Sequence, residues 1–326
     1  MSAAVRDIFR VVRGQVATYR WREVFNRSSV SQQRQNPLRL QSAAGRRILR
    51  DFRQHGIAMF HLSELPGGAH LLSQLTADYE RALTDQDTEI VRRRELLRAG
   101  ALSGEDAVYK TSLITWYPTG GPPPSAHPLG RWALYAELLA IVNEYMGMYG
   151  QILALKYWYS VASAGQKADG SQVWHRDYND WHLVKTFLYV DDVDEETGPF
   201  AFVRGTHRGV LRHTDPPFFR DSLGARRVSD EQMETFAPKA KWTTAVGRAG
   251  TVIVADTTGF HKGGFATRHD RKMIVVAYKS PWCRERLERP IVDVPVDAHP
   301  AVRVAAYAEG SAIPSPPPGS VRRAGV

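Results

Sequence analysis

The chain has 326 residues, 43% of them hydrophobic and 24% charged, the balance of an ordinary globular protein. No apolar run approaches the roughly 18 residues of a membrane span, and the single cysteine, Cys283, excludes an intrachain disulfide. The formal net charge of +9 admits acidic partners, but no compact Lys/Arg cluster with interleaved aromatics accompanies it, which disfavours nucleic acid.

Residues 3–25 place Val5, Ile8, Phe9, Val12, Val16 and Tyr19 near a helical repeat with arginines between. A basic amphipathic helix of this kind can lie on a membrane surface, but packing on its own domain is the favoured reading. Because Arg6, Arg10 and Arg13 interrupt the start, it lacks the apolar core of a secretory signal, and a reducing cytoplasmic setting is expected. Ser28–Gln35 reads as a polar loop, Ser42–His55 as a helix ended by Gly56, and Ile57–Phe60 as a strand. His70–Ala101 has a helical pattern, Thr119–Pro124 reads as a loop, and Trp132–Tyr149 as a further helix.

From Ile152 the texture changes to short β-branched and aromatic runs. These are 153–160, 183–190, 200–203, 250–255 and 273–278, punctuated by turns such as Glu196-Thr197-Gly198-Pro199. Strands without regular intervening helices predict a mainly β fold with flanking helices, a sandwich or jelly roll rather than a βαβ sheet. A charged insertion between Thr206 and Trp242 reads as a lid or specificity segment. The organisation expected is a basic helical extension over 1–45, a main domain over 46–290, and a tail over 291–326 that is Pro-rich and disordered at its end.

The chemistry concentrates at Val173-Trp174-His175-Arg176-Asp177. Residues i and i+2 of a strand share a face, so His175 and Asp177 can converge on one ion. The protein-kinase catalytic loop, which also contains His-Arg-Asp, requires an asparagine five positions after the aspartate, where this chain has His182. Among His207, His213, His261 and His269 as third ligand, His261 stands at a strand–loop junction after an apolar run. Two histidines and one carboxylate with other positions open suit non-haem Fe(II). Arg271 opens the next apolar strand and offers a bidentate fork for the far carboxylate of a metal-chelating dicarboxylate; Arg268, in a polar loop, is the competitor. Lys185 and Thr186 alternate on one strand, so only one can face the interior. Thr186 is preferred as a helper to that carboxylate, with Lys185, Tyr157 and Tyr159 as weaker candidates. Trp158, Trp174 and Trp181 read as core or pocket wall.

His175-Arg-Asp177, the run Lys185–Asp194, Gly198-Pro-Phe200, Val203-Arg-Gly-Thr-His207, His261-Lys-Gly-Gly with Arg271, and Asp51–Ala58 together resemble the phytanoyl-CoA dioxygenase family over roughly residues 45–285. Thr206 stands where members usually carry serine. The resemblance implies a double-stranded β-helix (a cupin-like jelly roll), with His175, Asp177 and His261 as Fe(II) ligands and Arg271 as the 2-oxoglutarate anchor. It further implies a dioxygenase that uses O2 and releases succinate and CO2 while oxidising a small or lipid-like substrate. No catalytic residue beyond the metal ligands is expected. With Asp177 filling the carboxylate position, hydroxylation, or desaturation or cyclisation from the same radical, is preferred to halogenation. The basic surface favours an anionic substrate. Two other enzyme readings stay open: a non-redox cupin-like metal enzyme using the same ligands and, behind it, a nucleic-acid demethylase. Substrate identity and oligomeric state are not legible.

Overall fold

In a computed structural model, residues 12, 14–100, 107–117, 121–207, 216, 219, 227–283, 285, 287 and 290–307 are described. Two antiparallel sheets form the centre. The larger runs β1 (Ile57–His61), β7 (Thr251–Asp256), β4 (Val184–Tyr189), β9 (Arg271–Lys279), β3 (Gln151–Ser160) and β2 (Leu113–Trp116), in that spatial order. The smaller runs β6 (Trp242–Thr244), β5 (Ala201–Val203) and β8 (His261–Lys262). A one-pair bridge between His175 and His261 adds a fourth row to the smaller sheet. The chain passes from β3 to His175, β4, β5, β6, β7, β8 and β9, crossing repeatedly between sheets, which is the jelly-roll winding.

Strand parity divides the core. Phe187 and Tyr189 of β4, Ile253 and Ala255 of β7, and Met273 and Val275 of β9 meet Phe200 and Phe202 of the smaller sheet. The alternate residues, among them Val184, Leu188, Val252, Val254, Ile274 and Val276, face the helices and pack on Trp132, Leu138 and Leu139. The larger sheet is therefore apolar on both faces, one toward the smaller sheet and one toward helices.

The helical layer departs from expectation in three places. The expected loop 28–35 is a helix, Arg27–Gln35, held by burial of Val30 and by Ser29 Oγ donating to the Tyr149 carbonyl at 2.8 Å. The pattern over 70–101 splits into Gly68–Thr84 and Asp87–Ala99, the second opening with Asp87 and Glu89 where the helix dipole favours acids. The expected helix 132–149 is likewise two, Pro128–Ala133 and Ala136–Met146. The helix over 43–55 does end at Gly56, whose φ of 77° suits a left-handed cap. Of the N-terminal segment, Trp21 Nε1 donates to buried Asp180 at 3.0 Å and Asn26 Oδ1 accepts from Trp282 N at 2.9 Å, so it packs on the barrel. Most of the 206–242 insertion and the tail beyond 307 lie outside the described residues. Among those described, no helix is long and apolar enough to cross a membrane.

Gly198 explains part of its motif. Its φ is 74°, and a Cβ there would sit 2.5 Å from the Phe265 carbonyl carbon and 2.7 Å from the Gly264 carbonyl oxygen. The Glu196–Phe200 turn and the Gly263-Gly264 turn are thus in backbone contact, bringing Phe200 to His261. Gly198→Ala combines a left-handed alanine with a displaced backbone. The expected cost is about 2 kcal/mol, a fall of about 3 °C in Tm by calorimetry.

Candidate metal centre

His175 and His261 sit opposite each other across the bridge and exchange both backbone bonds, His175 N to His261 O at 2.9 Å and His261 N to His175 O at 3.0 Å. Their rings lie 4.2 Å apart between centroids. Asp177 is pinned by its N donating to the Thr257 carbonyl at 2.9 Å. One ligand atom from each of His175, Asp177 and His261 then lies within 4.8 Å of the others.

The tautomers are set by the backbone. His175 Nδ1 is 2.8 Å from the Val173 carbonyl and His261 Nδ1 is 3.0 Å from the Gly259 carbonyl. A carbonyl only accepts, so each Nδ1 carries the proton and each Nε2 presents its lone pair. Burial lowers the pKa of both imidazoles, His261 to about 3 with His175 beside it as second cause, so both are neutral, as ligation needs. Burial opposes ionisation of Asp177, but the Lys185 ammonium, followed by His261 and His175, outweighs it and holds the carboxyl well below its usual range. Lys185 Nζ lies 2.8 Å from Asp177 Oδ2.

The triad opens on a cavity of about 490 Å³. Phe187, Phe200 and Trp158 wall one side: the Phe187 and Phe200 rings are 4.8 Å apart, Phe187 and Trp158 6.1 Å, and Phe200 and His261 5.7 Å. Tyr109, Asn179, Lys185 and Arg227 supply the polar lining. Arg271 faces the same intersheet layer, on the parity of Met273 and opposite Ser160. It is buried, and its only hydrogen bond among the described residues is from Nη2 to Ser160 Oγ at 3.2 Å; Nε and Nη1 have none. Burial lowers the pKa of Arg271, opposed by Tyr189 and then by Tyr109, which stands on the cavity wall. A buried guanidinium with two unsatisfied donors, opening toward the triad's layer, fits a carboxylate.

Three of the expected helpers are misplaced. Thr186 is buried on the helix side of β4, its Oγ1 3.5 Å from the Val276 carbonyl. Tyr157 and Tyr159 also face away from the intersheet layer, donating to Asp78 Oδ2 and Asp270 Oδ2, each at 2.5 Å. Burial, reinforced by those carboxylates, raises both phenols well above their usual range. The register of β3 on β9 pairs Ser160 with Arg271 and Trp158 with Met273, so Ser160 and Trp158 take the inward positions. On β4 the inward residue of the pair is Lys185. His207 is buried beneath Gly56 rather than in the triad, and Arg268 bonds Glu196 at 2.8 Å on the surface. Thr186→Val is accordingly expected to change 2-oxoglutarate affinity less than about twofold, because no contact with the site is lost. Equilibrium titration checks this.

The chain is similar to a known sequence family and to several solved structures. The sequence profile of the family described as phytanoyl-CoA dioxygenase (PhyH) matches residues 135–273. No curated protein sequence matches. Among solved structures, the epimerase SnoN in complex with Fe3+, alpha ketoglutarate and nogalamycin RO is 16% identical, with 81% of this chain and 95% of that one covered and a TM-score of 0.47. EctD from S. alaskensis with bound Fe is 18% identical, covering 84% and 85% with a TM-score of 0.47. HygX from Streptomyces hygroscopicus with nickel and 2-oxoglutarate bound is 16% identical, covering 72% and 86% with a TM-score of 0.44. The profile match spans His175, Asp177, His261 and Arg271, so the likeness to the phytanoyl-CoA dioxygenase family covers all four residues.

Proposed function

We propose that the chain is an Fe(II)- and 2-oxoglutarate-dependent oxygenase. The observation that carries this reading is the pairing of a preorganised two-histidine, one-carboxylate cluster with a buried arginine whose Nε and Nη1 have no partner among the described residues. His175 Nε2, His261 Nε2 and a carboxylate oxygen of Asp177 would hold the ion. Arg271 would hold the distal carboxylate of 2-oxoglutarate. When bound, the ion and co-substrate supply an O2-dependent oxidation that releases succinate and CO2.

The chain's own contribution is position and an apolar wall. The two Nδ1–H···O=C bonds keep the imidazoles from rotating, so the ligand atoms need no reorganisation. The apolar wall of Trp158, Phe187 and Phe200 offers no hydrogen-bonding surface to water on one side of the triad other than the indole N–H. We assign hydroxylation of a small organic substrate as the outcome, because Asp177 fills the position that a halide would need.

The test is anaerobic addition of Fe(II) and 2-oxoglutarate, watched for the weak visible charge-transfer band of the chelate. A band in the wild type supports the reading. Its absence in a folded, iron-loaded protein sinks it and moves the weight to a non-redox metal site.

A further inference from the structure

Lys185 is the only charged residue of β4, and its side chain reaches the cavity rather than the surface. Its ammonium leans on Asp177 Oδ2, the oxygen 3.7 Å from His261 Nε2. A carboxylate oxygen of Asp177 is one of the three ligand atoms that lie together. A divalent ion there draws on the same negative charge that balances Lys185.

The charges around the loaded site then do not close. A divalent ion and a dicarboxylate co-substrate cancel, which leaves Arg271 and Lys185 facing one carboxylate, Asp177. Among the described cavity residues Asp177 is the only acid. One cation is over before Arg176 and Arg227, which also line the cavity, are counted. Unbalanced positive charge beside an apolar wall favours an anion entering the cavity. Beside Lys185 stands the aromatic wall of Phe187, Trp158 and Phe200, and Trp158 Nε1 is buried without an acceptor. Cation, unsatisfied donor and apolar wall together describe a receptor for an organic anion with an apolar or ring-bearing body.

Resting on the oxygenase reading above, we propose that Lys185 anchors a carboxylate of the substrate, and that the substrate class is an organic acid with a flat or apolar body. The same carboxylate chemistry could come from 2-oxoglutarate itself, and the experiment separates the two sources. 2-Oxoglutarate is titrated by the charge-transfer band into Fe(II)-loaded wild type, Lys185→Met and Arg271→Ala. Benzoate and its neutral counterpart benzyl alcohol are titrated by calorimetry into the same proteins and Lys185→Arg, each loaded with Zn(II), with and without 2-oxoglutarate.

The expected result is a preference of the wild type for benzoate over benzyl alcohol of about tenfold, the size of one charge-assisted hydrogen bond. Lys185→Met loses that preference, Lys185→Arg keeps it, and 2-oxoglutarate affinity in Lys185→Met stays near wild type while Arg271→Ala loses it. Equal binding of benzoate and benzyl alcohol by wild type, or an unchanged preference in Lys185→Met, overturns the anchor. A loss of 2-oxoglutarate affinity in Lys185→Met as large as that in Arg271→Ala puts the carboxylate on the co-substrate and overturns the substrate assignment. Absence of the band in wild type defeats the oxygenase reading alone, since the benzoate comparison with Zn(II) still decides the role of Lys185.

Discussion

Asp177→Ala is expected to lower Fe(II) affinity by more than about 100-fold and to abolish the charge-transfer band. Loss of a residue that merely orients a ligand typically costs 10–100-fold in metal affinity, and loss of the ligand itself exceeds that. Asp177 also supplies the single negative charge of the triad, so its removal leaves two neutral imidazoles beside the Lys185 ammonium, an arrangement that repels a cation. Asp177→Asn separates the two effects: it keeps the shape, removes the charge, and is expected to lose the band as well. Metal titration by calorimetry, with circular dichroism to establish folding, checks both. Iron binding by Asp177→Ala within tenfold of wild type would remove Asp177 from the ligand set.

Arg271→Ala is expected to weaken 2-oxoglutarate binding by about 100-fold while leaving Fe(II) affinity near wild type. Two charge-assisted hydrogen bonds at about 1.5 kcal/mol each give about 3 kcal/mol, or two orders of magnitude. Stability carries a second signature. An arginine buried for structural reasons is bonded on all sides, and its loss destabilises. Among the described residues Arg271 has one hydrogen bond, to Ser160, and two unsatisfied donors. Its removal relieves a desolvated charge, so the Tm of the ligand-free protein is expected to stay level or rise. 2-Oxoglutarate should raise the Tm of the iron-loaded wild type and not that of the variant. Arg271→Lys keeps the charge but not the fork, and is expected to recover little of the affinity.

The triad and Arg271 were legible because their signals are local. His-X-Asp on an extended segment puts both side chains on one face, and His261 and Arg271 each stand at the edge of an apolar run. Thr186, Tyr157 and Tyr159 were misread because facing is not local in a sheet that is buried on both sides. Val184-Thr186-Leu188 and Lys185-Phe187-Tyr189 are similarly apolar, so alternation does not say which row faces the smaller sheet. The pairings Ser160 with Arg271 and Trp158 with Met273 decide it, and register between strands distant in sequence leaves no mark in either strand alone. One clue was available: a lone lysine in a buried strand needs a carboxylate, and Asp177 was nearby in sequence. The Arg27–Gln35 helix was hidden for a related reason. Its polar sequence is helical through Val30 and Ser29 docking on the barrel, a tertiary effect.

The bridge between His175 and His261 has a consequence for how the protein comes together. The two histidines belong to the second and next-to-last rows of the jelly-roll winding, and the intervening chain must be laid down before they meet in this arrangement. No early or partial product of folding can contain the cluster. An ion seated there would act as a staple across a long loop, removing conformations from the open chain that short-range contacts cannot reach. Iron would then do double duty, as a reagent and as the last fastening of the barrel mouth, present only in molecules whose assembly is complete.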